Sequence, residues 1–366
     1  PPTRDISAFM FEDALKVMHD ELSKRGGVPV PLYEDKDIAQ ALAQWQTATY
    51  HELINLGDVR AHFLDAGHIL GSSMVVFERG NRRVVFTGDL GNDNAPLARP
   101  TEALHDAHYL ITESVYGDRN HEGVDTRREV LAEAIMRTQR KNGTLLIPAF
   151  SLERTQILLY EIGSLLEERK IKPIHVFLDA PLAIRALDVY HRYPEYLSDA
   201  AQNKLKEGDL FSFKGLIVTE SARESRAIYD SPNPKVIIAG SGMSHGGRIR
   251  THERNFLNDS STTILFPGYQ AVGSLGRRLA DGVKKVRIDN EWVRVRAHVE
   301  QLHGYSAHKD MDGIISFVEQ SADTLEKVFV VMGEPHSSLF LTQRLRDFLD
   351  VDAVAPASGQ SFPLDF

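Results

Sequence analysis

The chain has 366 residues, 42% hydrophobic and 25% charged, with a formal net charge of -9 at pH 7. That length suggests two domains. No apolar run approaches the ~18 residues of a membrane span and no charged-then-apolar leader is visible, so a soluble, cytoplasmic protein with no membrane partner is expected. The absence of cysteine excludes disulfides and thiolate metal sites, leaving His, Asp and Glu to hold any metal. The acidic balance weighs against a domain that binds nucleic acid through basic excess, although a basic cleft needs only local charge, such as the arginines at 248, 250, 254, 277 and 278.

Amphipathic periodicity predicts helices over 9–24 and 37–45. Alternating apolar residues predict strands at 60–64, 73–78 and 83–87, with Gly80-Asn81 turning between the last two, and a further strand at 110–112. A long helix is expected from about 124 to 141, then strand 144–148, helix 153–168, strand 175–178 and helix 182–190. Strands at 236–239 and 263–266, a polar helix at 274–280, a hairpin of 286–288 with 292–298, helix 311–319 and strand 328–331 complete the series. Alternation of this kind builds parallel sheets and places the chain in the α/β class.

Two short motifs carry the chemistry. Asp65-Ala66-Gly67-His68 and Phe86-Thr87-Gly88-Asp89-Leu90-Gly91 each put a metal-capable side chain at the end of an apolar run, with glycines that allow close backbone approach. His68 and Asp89 are therefore candidate zinc ligands, and a catalytic zinc normally takes at least one more. A bridging carboxylate such as Asp89 can hold two cations roughly 3.5–4 Å apart. The stretch from Ser241 to Gly247 has three glycines after an apolar strand, so its amides could nest an anion, with Arg248 adding charge.

The ordered series Gly67-His68-Ile69-Leu70-Gly71-Ser72, Thr87-Gly88-Asp89-Leu90-Gly91, Thr112-Glu113-Ser114-Val115-Tyr116-Gly117-Asp118-Arg119, Pro148 to Arg154, Ser241-Gly242-Met243, Gly268-Tyr269-Gln270 and Tyr305-Ser306-Ala307-His308 resembles the metallo-beta-lactamase-fold nucleases that carry a beta-CASP domain. The resemblance covers nearly the whole chain. It implies zinc-dependent hydrolysis of RNA phosphodiester bonds, with two zinc ions in the complete protein. His68 and Asp89 would be metal ligands, and Glu113 would pair with His308, which protonates the leaving group. Ser241, Gly242, Met243 and Arg248 would lie near RNA phosphates in a cleft between domains.

Two departures qualify the resemblance. The family's His-x-His-x-Asp-His cluster is absent, and with Pro1-Pro2 opening the chain the expectation is a piece of a longer protein that binds zinc poorly alone. Where the family ends a strand with Val-His-Gly-Glu, this chain reads Val331-Met332-Gly333-Glu334. Met332 is a poor ligand for a hydrolytic zinc, so His336 is a candidate substitute. A catalytically impaired homologue that binds or scaffolds RNA is the alternative function. The expected architecture is an incomplete four-layer metallo-beta-lactamase αββα sandwich from residues 1–120 and 296–366, with an α/β beta-CASP domain inserted at 121–295. An apolar edge left open by missing strands would invite association, making a homo-oligomer possible.

Overall fold

The computed structural model describes residues 1–25, 31–124 and 126–366. In chain order, helices α1 (Pro2–Arg25) and α2 (Asp35–Gln44) precede strands β1 (Ile54–Leu56), β2 (Val59–Asp65), β3 (Ser73–Arg79), β4 (Arg82–Phe86) and β5 (Tyr109–Thr112). Next come α3 (Arg127–Lys141), β6 (Thr144–Pro148), α4 (Arg154–Glu167), β7 (His175–Asp179), α5 (Pro181–Arg192), α6 (Asp199–Glu207), β8 (Leu216–Val218) and α7 (Ala222–Ala227). β9 (Lys235–Ala239), α8 (Ile249–Phe256), β10 (Thr263–Phe266), α9 (Leu275–Ala280), β11 (Lys285–Ile288), β12 (Glu291–Arg294) and β13 (His298–Gln301) follow. α10 (Met311–Glu319), β14 (Lys327–Val330), α11 (Pro335–Leu349) and β15 (Ala353–Val354) close the order. None of the described helices is long and apolar enough to cross a membrane.

Packing divides the chain into two units. The first comprises residues 1–121, 195–199 and 307–366, and the second 122–194 and 200–306. The later boundary falls at Ser306/Ala307 rather than at 296, because β13 pairs in parallel with β10 and so belongs to the second unit's sheet. For the same reason the expected hairpin strand 292–298 is two pieces: β12 pairs with β11 and ends at Arg294, and the chain then leaves to form β13. The expected helix from 124 starts at Arg127, and residue 125 lies outside the described residues.

The first unit's sheet has the order β1-β2-β3-β4-β5-β14-β15. β2, β3 and β4 alternate in direction, whereas β4, β5 and β14 are parallel. β2, β4, β5 and β14 therefore all run the same way, and their C-terminal ends share one edge. Side chains alternate between the two faces of a strand. On one face Met74, Val76, Val85, Leu110, Val328 and Val330 pack with Ile314, Phe317 and Val318 of α10 and Leu341 and Leu345 of α11. On the other, Phe63, Val75, Phe86, Ile111 and Phe329 stand in register across five strands. Phe86 on that face is 43% exposed, while Phe329 meets the Phe362 ring at 5.1 Å. Among the described residues the first unit thus carries one sheet with helices packed on one of its faces. The open apolar surface is part of a sheet face rather than an edge.

The second unit is built on a six-stranded sheet, β13-β10-β6-β9-β7-β8, in which every neighbouring pair is parallel. Parallel strands covered on both faces carry continuous apolar runs, and β6, β9 and β10 are buried at every position. From β6 the chain crosses over α4 toward β7 on one side, and from β9 it crosses over α8 toward β10 on the other. Such a reversal splays the two loops apart and leaves a crevice at the C-terminal ends of β6 and β9, the usual ligand position in open α/β sheets.

Candidate functional site

The end of β2 delivers His68 through a loop tied by one side chain. Ser72 Oγ accepts from the amides of His68 at 3.0 Å and Ile69 at 3.2 Å. Gly67 and Gly91 let this loop lie against the one after β4. A Cβ on Gly91 would stand 1.9 Å from the Gly67 carbonyl oxygen, and the Gly91 amide donates to Ala66 O at 2.8 Å. The two apolar-run motifs therefore meet backbone to backbone, which brings His68 Nε2 to 3.9 Å from Asp89 Oδ2.

His308 arrives from the first unit's last segment. Its strand-like neighbours bond to the Asp89 loop: Asn92 donates to Ala307 O and Lys309 to Leu90 O, each at 2.8 Å. The imidazole rings of His68 and His308 lie 4.5 Å apart, and ligand atoms of His68, Asp89 and His308 fall within 4.8 Å of one another. His68 Nδ1 is 3.3 Å from Ala307 O, a contact that a carbonyl can make only as acceptor. That puts the proton on Nδ1 and leaves the Nε2 lone pair toward Asp89. Burial, together with His308 nearby, lowers the His68 pKa to about 4, so the ring is neutral at pH 7, as a ligand must be.

Glu113, directly after β5, is fully buried. Its Oε1 accepts from Leu90 N at 2.6 Å and its Oε2 from Val115 N at 3.3 Å, and the two oxygens lie 3.2 and 3.1 Å from His308 Nδ1. The expected Glu113–His308 pair is thus formed. The carboxylate fixes Nδ1–H and aims Nε2, the other ring nitrogen, away from itself. His68 and Asp89, an imidazole and a carboxylate without sulfur, suit a zinc ion, and His308 stands beside them. These three residues are the metal-capable group found among the described residues.

His336 is not in that group. It is the second residue of α11, its side chain is 78% exposed, and Nδ1 is 3.3 Å from Asp118 Oδ2. Met332 follows β14 at the same sheet edge with φ +63° and 60% exposure. Gly333 beside it is needed for space, since a Cβ there would be 2.4 Å from Ser114 O and Oγ.

In the second unit, Ser241, Gly242 and Met243 lie after β9 at the crevice. The loop curls on the Ser241 hydroxyl, which accepts from the amides of His245 at 3.1 Å and Gly246 at 3.3 Å, while Ser241 N donates to Gly246 O. Those amides are spent within the loop. Gln270 Nε2 donates to Gly242 O at 3.0 Å, and a Cβ on Gly242 would meet the Phe150 ring at 2.9 Å. Phe150, 45% exposed, is an aromatic face at this crevice that the sequence reading left unassigned although it lies in a quoted motif.

Arg248 turns into its own fold. It donates to Asp179 Oδ1 at 2.6 Å, Thr219 O at 3.0 Å and Glu220 O at 2.6 Å. Burial opposes the charge of Asp179, but hydrogen bonds from His252, Ser225, Thr219 and Arg248 outweigh it and lower its pKa to about 2. Of the other arginines expected to line a cleft, 250 and 254 face Asp289 and 277 pairs with Asp281. A charge that is matched inside the fold offers little to a phosphate, and no spacing rule foretold those partners.

Comparison with known proteins identifies the family. A Beta-Casp domain model matches residues 155–279, and a model described as the Zn-dependent metallo-hydrolase RNA specificity domain matches 292–356. A ribonuclease of Thermus thermophilus is 34% identical over 93% of this chain and 75% of its own length. Transcription termination factor FttA of Thermococcus kodakarensis is 31% identical over 97% of this chain, which spans only 56% of that relative. An RNase J-like protein of Methanocaldococcus jannaschii is 25% identical over 99% of this chain and 82% of its own length. The chain belongs to the beta-CASP family of metallo-beta-lactamase-fold RNA-processing nucleases.

Proposed function

We propose that the protein hydrolyses RNA phosphodiester bonds with His68 and Asp89 as zinc ligands, the Glu113–His308 pair as the proton donor, and two zinc ions in the complete site. The observation that carries this reading is the convergence of His68, Asp89 and His308 within 4.8 Å, with Glu113 buried behind His308. Bound zinc would supply charge neutralisation and an activated water. Everything else falls to the chain. Ala307 O holds the His68 tautomer, Glu113 holds Nδ1–H of His308, and the His308 imidazolium gives its Nε2 proton to the departing oxygen. Gly242 and Met243 meet a phosphate through their backbone, while Ser241 curls the loop and Arg248 holds it through Asp179.

A second reading rests on Met332. An exposed thioether at a sheet edge and a His336 bound to Asp118 leave three metal-capable residues together among the described residues. This favours an RNA-binding subunit with impaired catalysis. Asp89→Ala in the intact protein separates the two. Under the first reading, cleavage of a labelled RNA falls at least ~10³-fold and chelation has the same effect, while RNA affinity changes less than about twofold, within the scatter expected for a position that does not bear on binding. RNA binding with no turnover in the unmutated protein would establish the second.

A further inference from the structure

The N-terminal edge of the second unit's sheet carries a cavity of about 1170 Å³. It is walled by the C-terminal ends of α3 and α4 and by the segments that lead into β7, β8 and β9. It lies at the opposite edge of that sheet from the crevice beside Gly242, a strand of five residues away, or roughly 16 Å.

Its charge sets it apart from the rest of the acidic chain. Arg169, Lys170, Lys172 and Lys214 line it, and none of the four has an ion pair among the described residues. Arg140 in the wall pairs with Glu133, and the wall's Glu167 is matched by Lys204 at 2.9 Å. Cations after a helix C-terminus balance its dipole, which accounts for Arg169 and Lys170 following α4. It does not account for Lys172 and Lys214, which come from separate segments. Beneath the cations the floor is apolar. Phe213 lies over Gly163 of α4, where a Cβ would stand 3.2 Å from its ring.

Four unmatched cations around an aromatic floor fit a polyanion with flat, stackable groups. Pockets for a single drug-sized ligand span roughly 300–1,000 Å³, and this one exceeds that range. We propose that the cavity is a second RNA-binding site that takes two or three nucleotides of a single strand, phosphates on Arg169, Lys170, Lys172 and Lys214 and one base against Phe213. The identity of the polyanion as RNA rests on the function proposed above. The cavity holds a stretch of substrate away from the residues that cut it.

The test uses 5′-fluorescein-labelled decauridylate and the intact protein in a chelator, so that binding is read without cleavage. The triple variant Lys170→Glu, Lys172→Glu, Lys214→Glu is expected to bind at least ~10-fold more weakly. Its log affinity against log salt slope should be shallower by about 2, since a single strand loses ~0.7 per neutralised phosphate. Phe213→Ala should weaken binding ~5-fold or more with the slope unchanged, because stacking carries no charge. Cleavage of a labelled RNA by the unmutated protein with zinc, measured separately, reads the catalytic proposal on its own and so separates its failure from failure of this site. A triple variant that melts normally and keeps the original affinity and slope overturns the proposal. So does displacement of the oligonucleotide by inorganic tripolyphosphate at equal charge, which would mark a site for small polyanions.

Discussion

The Glu113 carboxylate is fully buried with three hydrogen-bonding neighbours, Leu90 N, Val115 N and His308 Nδ1, so its task is to hold His308 in one orientation. An amide at that position can present either its oxygen or its NH₂ to Nδ1, and the fixed orientation is lost. Glu113→Gln is expected to slow RNA cleavage by about 10²-fold and His308→Ala by 10²–10³-fold, the usual range for a positioned proton donor. Because the two act as one unit, the double variant should be no slower than His308→Ala alone. Single-turnover cleavage of one RNA by the three variants measures this, and additive losses would mean that the residues work separately. His68 and Asp89 were legible because each follows a strand inside a short motif, whereas Glu113 and His308 were reached through the resemblance. What could not be read was the partner of each charge. Arg248 looked like a phosphate ligand, but Asp179, which claims it, lies sixty-nine positions earlier in the chain.

At the scale of elements, one close approach builds the site. The loops after β2 and β4 touch at Gly67 and Gly91, and neither glycine tolerates a side chain there: Gly67 has φ +68°, and a Cβ on Gly91 would lie inside the Gly67 carbonyl. Gly91→Ala must push the His68 loop off the Asp89 loop, at a cost of about 1–3 kcal/mol for overpacking. The expected result is a melting temperature lower by roughly 3–10 °C and zinc affinity weaker by at least ~10-fold, the loss typical when a ligand's support is removed. Gly208→Ala is the control, since Gly208 has nothing within 4 Å of a new Cβ and no left-handed φ. Calorimetric zinc titration of both decides it, and equal affinity would detach the glycine pair from metal binding. Most longer elements followed from periodicity, including α4, α10 and the buried strands. α11 was missed although Pro335 at its first helical position is a start signal. β8 and β15 have three and two residues, too few to display a period, and β13 is polar because it occupies a sheet edge.

The whole molecule distributes its buried carboxyls unevenly, and that sets how each unit responds to pH. Asp65 in the first unit is raised by burial to about 6. In the second unit burial raises Glu153 to about 7 and Glu253 to about 8, the latter against a hydrogen bond from Ser244 in the crevice loop. An unfolded Glu releases its proton near 4.5, whereas native Glu253 keeps it to about pH 8. The native state therefore binds the extra proton between those values. The associated stability is full below about pH 4.5 and is lost as pH rises through 8, at no more than ~1.4 kcal/mol per pH unit. Glu253→Gln replaces the protonated acid by a neutral group of the same shape and removes this dependence. Melting of the intact protein from pH 5 to 8.5 should show the second unit's transition falling steadily, with a flatter profile and a higher melting temperature at pH 8.5 in the Gln variant. The Ser244 loop would be held equally well by the amide, so RNA affinity at pH 7 should not change. A profile without slope in the unmutated protein would mean that Glu253 reaches water and ionises like an ordinary surface carboxylate.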